Sequence, residues 1–400
     1  MRIGMILDNE FPPDPRVENE ALSLIEAGHQ VFLFCIQFSS KSSSIENYKG
    51  IQVSRFTYSK LVYKLSALAY TIPFYHWILK KDITSFISQN NIDTIHVHDI
   101  QVARAVFDVN TRFNKKVILD LHENRPEIMK FYLHVKDFRG KLLIYPKRWR
   151  YFEEKYIKKS FRTIVVTENA ADYYVDKYDI PKDKFIVVPN TVRKEFFENP
   201  DLNPMIIKEY ENEFMLLYLG DTGIRRGTLL LLEAVNILKE EIPNIKLVLV
   251  GKSKSDKVLK EYIKTNRIEN YVDMLGWKDF SSFSSYIYAS KIGFSPLLRN
   301  VHHDTTYANK IFQYMAFRKP VIVSDSIAQA ELIQQENCGL VFENNKSKDL
   351  ALRILELYND KVLYTNLSEN AKEAIMVKYN WVETSKEMLN FYNKKETNGF

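Results

Sequence analysis

The chain has 400 residues, 46% hydrophobic and 26% charged, with a formal net charge of +6. This composition excludes a disordered or fibrous chain, and the length passes the ~250–300 residues at which a single core stops growing, so two domains are expected. Cys35 and Cys338 lie far apart in apolar surroundings, which argues against a disulfide framework or a cysteine-based metal site and fits a reducing cytosol, while every apolar run is broken before the ~20 residues a membrane span needs.

In chain order, strands and helices alternate from the start. Arg2 to Asp8 reads as a strand rather than a signal peptide, and the helical pattern Arg16 to Glu26 follows it. Gln30 to Ile36, Ile51 to Phe56, Thr94 to His98, Lys116 to Leu121, Thr163 to Thr167 and Phe185 to Val188 continue as Ile- and Val-rich strands. That alternation predicts a parallel sheet of βαβ units. Ser39 to Ser44 reads as a surface loop. Thr191 to Glu213, with Pro200 and Pro204, reads as a polar connection between domains. A second set then begins with Met215 to Leu219, Lys246 to Val250, Val272 to Leu275, Ile292 to Ser295, Val321 to Ser324 and Leu340 to Phe342. The expected architecture is α/β, with two tandem Rossmann-like doubly wound parallel-sheet domains facing a cleft, where ligands bind at strand C-termini.

The basic excess is confined to the first half. Residues 1–200 hold 30 Lys and Arg against 24 Asp and Glu, while residues 201–400 hold 26 of each. Two stretches, 55–81 and 130–162, interleave lysine and arginine with aromatics such as Phe74, Trp77, Trp149 and Tyr151. Such a face can rest on an anionic membrane or grip a polyanion, and it can equally be the solvated side of helices over a core. Nucleic-acid motifs are missing, and no nucleic-acid partner is expected.

Three places carry chemistry. After Leu219 comes Gly220-Asp221-Thr222-Gly223-Ile224-Arg225-Arg226-Gly227, a turn between strand and helix. Its glycines permit close backbone approach, and Arg225 and Arg226 supply donor forks for a diphosphate. Thr305, Thr306, Asn309 and Lys310 precede the apolar spacing Ile311, Phe312, Met315 and Ala316 of a helix, and offer donors where a helix start favours an anion. Alone, that stretch reads as an N-capping threonine and a solvated lysine. In the first half, His96 and His98 alternate onto one strand face before Asp99, which suits a structural role better than metal ligation. His122, just past Asp120 at a strand end, could donate a hydrogen bond to substrate or serve as a structural histidine.

Taken together, FPPDPRVENEALSLIEAGHQV, IHVHD, VILDLHENRPE, VVPNTV, YLGDTGIRRGTLLLLEA, NKIFQYMAFRKPVIVSD and KYNWVETSKEMLNFY resemble, in order and spacing, the blocks of GT-B fold glycosyltransferases of family 4. The resemblance spans nearly the whole chain. It implies an N-terminal acceptor domain (1–195), a C-terminal nucleotide-sugar-binding domain (196–378) and a closing helix (379–400) packed back on the first. It implies retaining hexosyl transfer from a UDP- or GDP-sugar to a glycan or lipid-linked acceptor in surface polysaccharide or glycoconjugate synthesis. His122 and Arg226 match its catalytic positions. Gly223, Arg225, Arg226, Thr305, Thr306, Asn309 and Lys310 match its phosphate and sugar site, and Trp277, Lys278 and Gln313 its nucleoside site. No metal and no cofactor beyond the nucleotide-sugar co-substrate are implied, and the enzyme would be cytoplasmic, peripheral on the cytoplasmic membrane face. Two departures stand out: the family's paired glutamates correspond to Thr305 and Gln313, and Asp221 stands where many relatives have arginine. They motivate an alternative, a non-catalytic nucleotide-sugar-binding relative or partner subunit. A sugar-nucleotide epimerase, sharing the paired-domain architecture, is a further reading.

Overall fold

A computed structural model of the protein describes residues 1–38, 43–131 and 145–394. Most of the expected Ser39 to Ser44 loop, and residues 132–144 of the basic stretch 130–162, lie outside them. The chain divides into two compact units, Met1–Pro189 with Ser385–Phe400, and Asn190–Thr384.

The first unit holds β1 (Arg2–Ile6), β2 (Gln30–Gln37), β3 (Ser44–Tyr48), β4 (Ile51–Thr57), β5 (Thr94–His98), β6 (Lys116–Leu121), β7 (Arg162–Val165) and β8 (Phe185–Val187). They form one sheet in the order β3-β4-β2-β1-β5-β6-β7-β8. All neighbours are parallel except β3, which pairs antiparallel with β4. The central strands are buried throughout, as their near-continuous Ile and Val runs require of a sheet covered on both faces. Chain order turns back between β1 and β5, so the ends of those strands lie at the topological switch point where open α/β sheets bind ligands.

The second unit holds β9 (Phe214–Leu219), β10 (Ile245–Val250), β11 (Val272–Gly276), β12 (Ile292–Ser295), β13 (Val321–Ser324) and β14 (Gly339–Phe342). Their order is β11-β10-β9-β12-β13-β14, parallel throughout, with the switch point between β9 and β12. The loops after these two strands touch closely. A Cβ on Gly227 would sit 1.7 Å from the Pro296 carbonyl oxygen, and Gly227 has φ +76, so only glycine fits.

The stretch Thr191 to Glu213 is not an irregular connection. It pairs Val192 with Asn380 and carries helices Glu195–Glu198 and Pro204–Glu209. Pro204 takes the first helical position, where its missing N–H costs no hydrogen bond, and Asn203 caps the helix through Met205 N–H. At the far end, helix Trp381–Thr384 belongs to the second unit, and helix Lys386–Asn393 to the first. Among the described residues no helix is long and apolar enough to cross a membrane.

Candidate functional site

In the second unit, the turn that ends β9 is built by its own side chains. Asp221 Oδ1 accepts the Gly223 N–H at 2.9 Å, and Thr228 Oγ1 donates to the Thr222 carbonyl at 2.8 Å. A single 3-10 turn, Ile224–Arg226, then presents both arginines before Gly227 starts the next helix. The Arg225 carbonyl accepts Leu298 N–H at 3.1 Å, which fixes the turn against the segment after β12. Its guanidinium donates to His303 Nε2 at 3.2 Å. His303 is buried, and burial lowers its pKa to about 3. It is therefore neutral, with Nδ1–H donating to the Leu298 carbonyl at 2.6 Å and Nε2 left to receive Arg225.

Lys310 completes the cluster. Its Nζ lies 3.7 Å from the centroid of the Tyr218 ring. The same atom is the nearest neighbour to a Cβ built on Gly220. Burial, then the nearby Arg226, holds its pKa well below the ordinary lysine value. Three basic side chains therefore meet at the end of β9, opposed by Asp221, whose Oδ2 is 3.9 Å from Arg226 Nε. Guanidinium forks beside an ammonium suit a diphosphate, and an anion there would relieve their mutual repulsion.

The remaining expected residues behave differently. Thr305 and Thr306 do not cap a helix start. Their hydroxyls donate to the carbonyls of Val301 and His302 at 2.9 Å each, closing the preceding turn Val301–Asp304. The N-cap of helix Lys310–Ala316 is Asn309, which is exposed and makes no side-chain cap bond. Lys310 is not a solvated charge. Gln313 is half-buried one turn further along the same helix. Trp277 is exposed and Lys278 half-buried after the edge strand β11, two strands from β9, and no hydrogen bond or ring contact among the described residues joins them to the basic cluster.

In the first unit, His122 sits in a buried charged network. The Arg16 guanidinium grips Asp120 with two bonds, 3.1 and 2.8 Å, donates to the Val188 carbonyl at 3.0 Å and lies 3.0 Å from Glu20. His122 Nε2 is 2.7 Å from Asp120 Oδ2 and 3.2 Å from His98 Nδ1, and its backbone N–H donates to Asp99 Oδ1 at 3.2 Å. Burial disfavours the charged imidazole, but Asp99 and Asp120 outweigh it and raise the pKa to about 10. His122 is thus an imidazolium at neutral pH. His96 stacks on His98 at 4.6 Å, as alternation along the strand requires, and its Nδ1 meets Tyr392 Oη at 2.9 Å. Asp8, at the end of β1, accepts from Tyr75 Oη at 2.6 Å, and burial raises its pKa to about 6.

Glu20, His96, His98 and Asp120 offer ligating atoms within 4.8 Å of one another, a spacing that could hold a metal ion. Arg16 contacts both carboxylates, and its guanidinium already supplies the positive charge. A metal would fit only by displacing it.

Two family models match, one described as Glycosyltransferase Family 4 over residues 16–196 and one as Glycosyl transferases group 1 over residues 201–374. The chain belongs to the family 4 glycosyltransferases. Among curated relatives, glycosyltransferase MJ1178 of Methanocaldococcus jannaschii is 27% identical over 203 residues, 50% of this chain and 56% of the relative, so the chain spans little more than half of that protein's length. The fold is GT-B: sucrose-phosphate synthase from Thermosynechococcus elongatus superposes with a TM-score of 0.79 at 16% identity, covering 98% of each chain. HepE from Anabaena, solved in complex with UDP and glucose, gives 0.71 at 13% identity, over 99% of this chain and 100% of its own.

Sequence reasoning missed three residues of this family 4 chain. His303, which orients Arg225, could have been suspected from the His302-His303 pair just ahead of the Thr305 to Lys310 turn. Arg16 was legible only as part of a block, because its partner Asp120 lies over a hundred positions away. Tyr392 too was legible only as part of a block, because its partner His96 lies 296 positions away.

Proposed function

We propose that this family 4 chain transfers a sugar from a UDP- or GDP-sugar to a glycan or lipid-linked acceptor with retention of configuration, in surface polysaccharide or glycoconjugate synthesis. The observation that carries the reading is the meeting of Arg225, Arg226 and Lys310 at the end of β9. In this reading the two guanidinium groups and the ammonium hold the diphosphate and stabilise the charge that grows as the bond from the anomeric carbon to phosphate oxygen breaks. The acceptor oxygen forms its bond to the anomeric carbon on the same face, and its proton passes to a phosphate oxygen, so neither a protein nucleophile nor a metal is assigned. The His122 imidazolium, at the sheet switch point of the first unit, is assigned a hydrogen bond to a bound sugar. That HepE was solved with UDP and glucose supports a nucleotide-sugar donor.

A lipid-linked acceptor is favoured by one surface of the first unit. Leu61, Phe74, Trp77 and Tyr151 are exposed apolar side chains, and Tyr151 also lines a groove of about 490 Å³ with Tyr70, Arg104, Lys147, Arg148 and Phe152. Aromatic and basic residues together suit an anionic leaflet. Flotation with anionic but not neutral liposomes is expected, and binding indifferent to lipid charge refutes this electrostatic docking.

The second reading, a binding relative without turnover, is favoured by Thr305, whose hydroxyl is committed to backbone carbonyls and replaces no carboxylate. The deciding experiment incubates the full chain with UDP- and GDP-sugars and a lipid-linked glycan and follows products by NMR. Retained anomeric configuration is expected, with Arg226→Ala slowing turnover by about 10²–10³-fold. Wild-type turnover by the variant contradicts the assignment of Arg226, nucleotide binding without turnover favours the second reading, and donor conversion without acceptor marks an epimerase.

A further inference from the structure

Asp99 has backbone angles φ 64 and ψ 159. This region is populated almost only by glycine, because a Cβ clashes there with the neighbouring peptide. An aspartate persists in such a conformation when its surroundings over-determine it, and such positions cluster at functional sites. Asp99 stands between the end of β5 and the helix Ile100–Asn110, beside the switch point of the sheet. Its N–H donates to the Asp120 carbonyl at 2.8 Å, which pulls the end of β5 toward β6. The side chain does not cap the helix that follows. It turns instead to His122: Oδ1 accepts the His122 backbone N–H at 3.2 Å, and Oδ2 lies 3.7 Å from the imidazole Nδ1.

We propose that Asp99 is the positioning residue of His122, held in a glycine-like backbone conformation so that its carboxylate accepts the His122 N–H and faces one ring nitrogen while Asp120 hydrogen-bonds the other. The inference rests on the reading that His122 meets a bound sugar. A helix-capping aspartate would need no unusual backbone, and a relaxed backbone would carry the carboxylate away from the ring. The titratable and charged groups around His122 are Asp99 beyond β5, His96 and His98 on β5, Asp120 on β6, and Arg16 and Glu20 on the first helix. Asp99 favours its charged form through charge, and Asp120 through both charge and a hydrogen bond.

Two variants separate backbone from charge. Asp99→Gly relaxes the backbone and deletes the carboxylate, whereas Asp99→Asn keeps the conformation and an acceptor for the His122 N–H but removes the charge. The full chain, with ¹³C-labelled histidine and His122→Gln for assignment, is titrated by NMR. In wild type the His122 ring is expected to stay protonated at pH 8. In both variants its midpoint should fall by about one pH unit or more, a tenfold change in protonation ratio. Asp99→Gly should melt no lower than wild type, since the strained backbone is relieved as the side-chain contacts are lost. With UDP-glucose as probe, UDP release should show kcat reduced by about tenfold or more with KM little changed, and Asp99→Asn should recover part of the loss. A His122 midpoint unchanged in both variants overturns the proposal, and a lower melting temperature in Asp99→Gly overturns its backbone part. Because the titration and the melting need no substrate, a chain that releases no UDP would defeat the transferase reading without touching this result.

Discussion

Replacing Lys310 with methionine should make the second unit more stable and a poorer host for a nucleotide. The lysine stem packs beside Gly220, and its ammonium lies over the Tyr218 ring with Arg226 nearby, so the charge is disfavoured where it sits. A cation–π contact of a desolvated ammonium returns about 2 kcal/mol, whereas removing an ammonium from water costs several kcal/mol. Methionine keeps the stem and the ring contact without the charge. A gain of about 1–2 kcal/mol is expected, or about 2–8 °C for a domain of this size class. The loss appears with ligand: a charge-assisted bond to phosphate contributes about 1.5–3 kcal/mol, so UDP or GDP affinity should fall about 10- to 150-fold. Thermal melting with and without nucleotide reads both effects. At a concentration 100-fold above the wild-type Kd the nucleotide adds ~2.7 kcal/mol to wild type, and a variant bound 100-fold more weakly keeps only about 0.4 kcal/mol. A variant that melts lower than wild type alone, yet gains the same increment from nucleotide, refutes the reasoning.

Three further outcomes follow from the same geometry. Gly227→Ala places a Cβ 1.7 Å from the Pro296 carbonyl oxygen, so the arginine turn must move; urea denaturation should show a loss beyond the ~1–2 kcal/mol of the left-handed backbone alone, and a smaller loss contradicts the packing of the two loops. Arg16→Met leaves Asp120 and Glu20 buried without their guanidinium, and guanidinium chloride unfolding should show a loss of about 3–5 kcal/mol; under 1 kcal/mol would mean the network does not depend on that cation. Because the folded-state pKa of His122 is raised to about 10, its contribution to stability is complete below the ordinary histidine value and is lost as pH climbs toward 10. Subtracting the pH profile of His122→Gln from wild type isolates this effect from Asp8 and Glu20, whose raised values also make stability fall as pH rises, over lower pH windows. A flat difference between pH 6 and 10 contradicts the assignment of an imidazolium.

What could be read in advance depended on how local the signal was. The strand-forming runs of both units were plain because a strand covered on both faces leaves a continuous apolar stretch, as in Ile245–Val250. The edge strand Ser44–Tyr48 escaped because it is almost wholly exposed, and Ser-Ile-Glu-Asn-Tyr carries no burial pattern. Arg225, Arg226 and Lys310 could be picked out from turn chemistry, and they do meet. Thr305 and Thr306 read as caps along the sequence, yet their hydroxyls turn back to carbonyls of the preceding helical turn. The contact of Arg16 with Asp120, and of His96 with Tyr392, depends on which elements the sheet brings together. No spacing along the chain encodes those pairs.

Hydrogen–deuterium exchange of the full chain with saturating UDP or GDP shows whether the end of β9 is an anion pocket for a nucleoside diphosphate. Slowed exchange is expected in Gly220 to Thr228 and in the segment from Asn300 to Gln313. Protection confined to other segments, or none with either nucleotide, contradicts such a pocket.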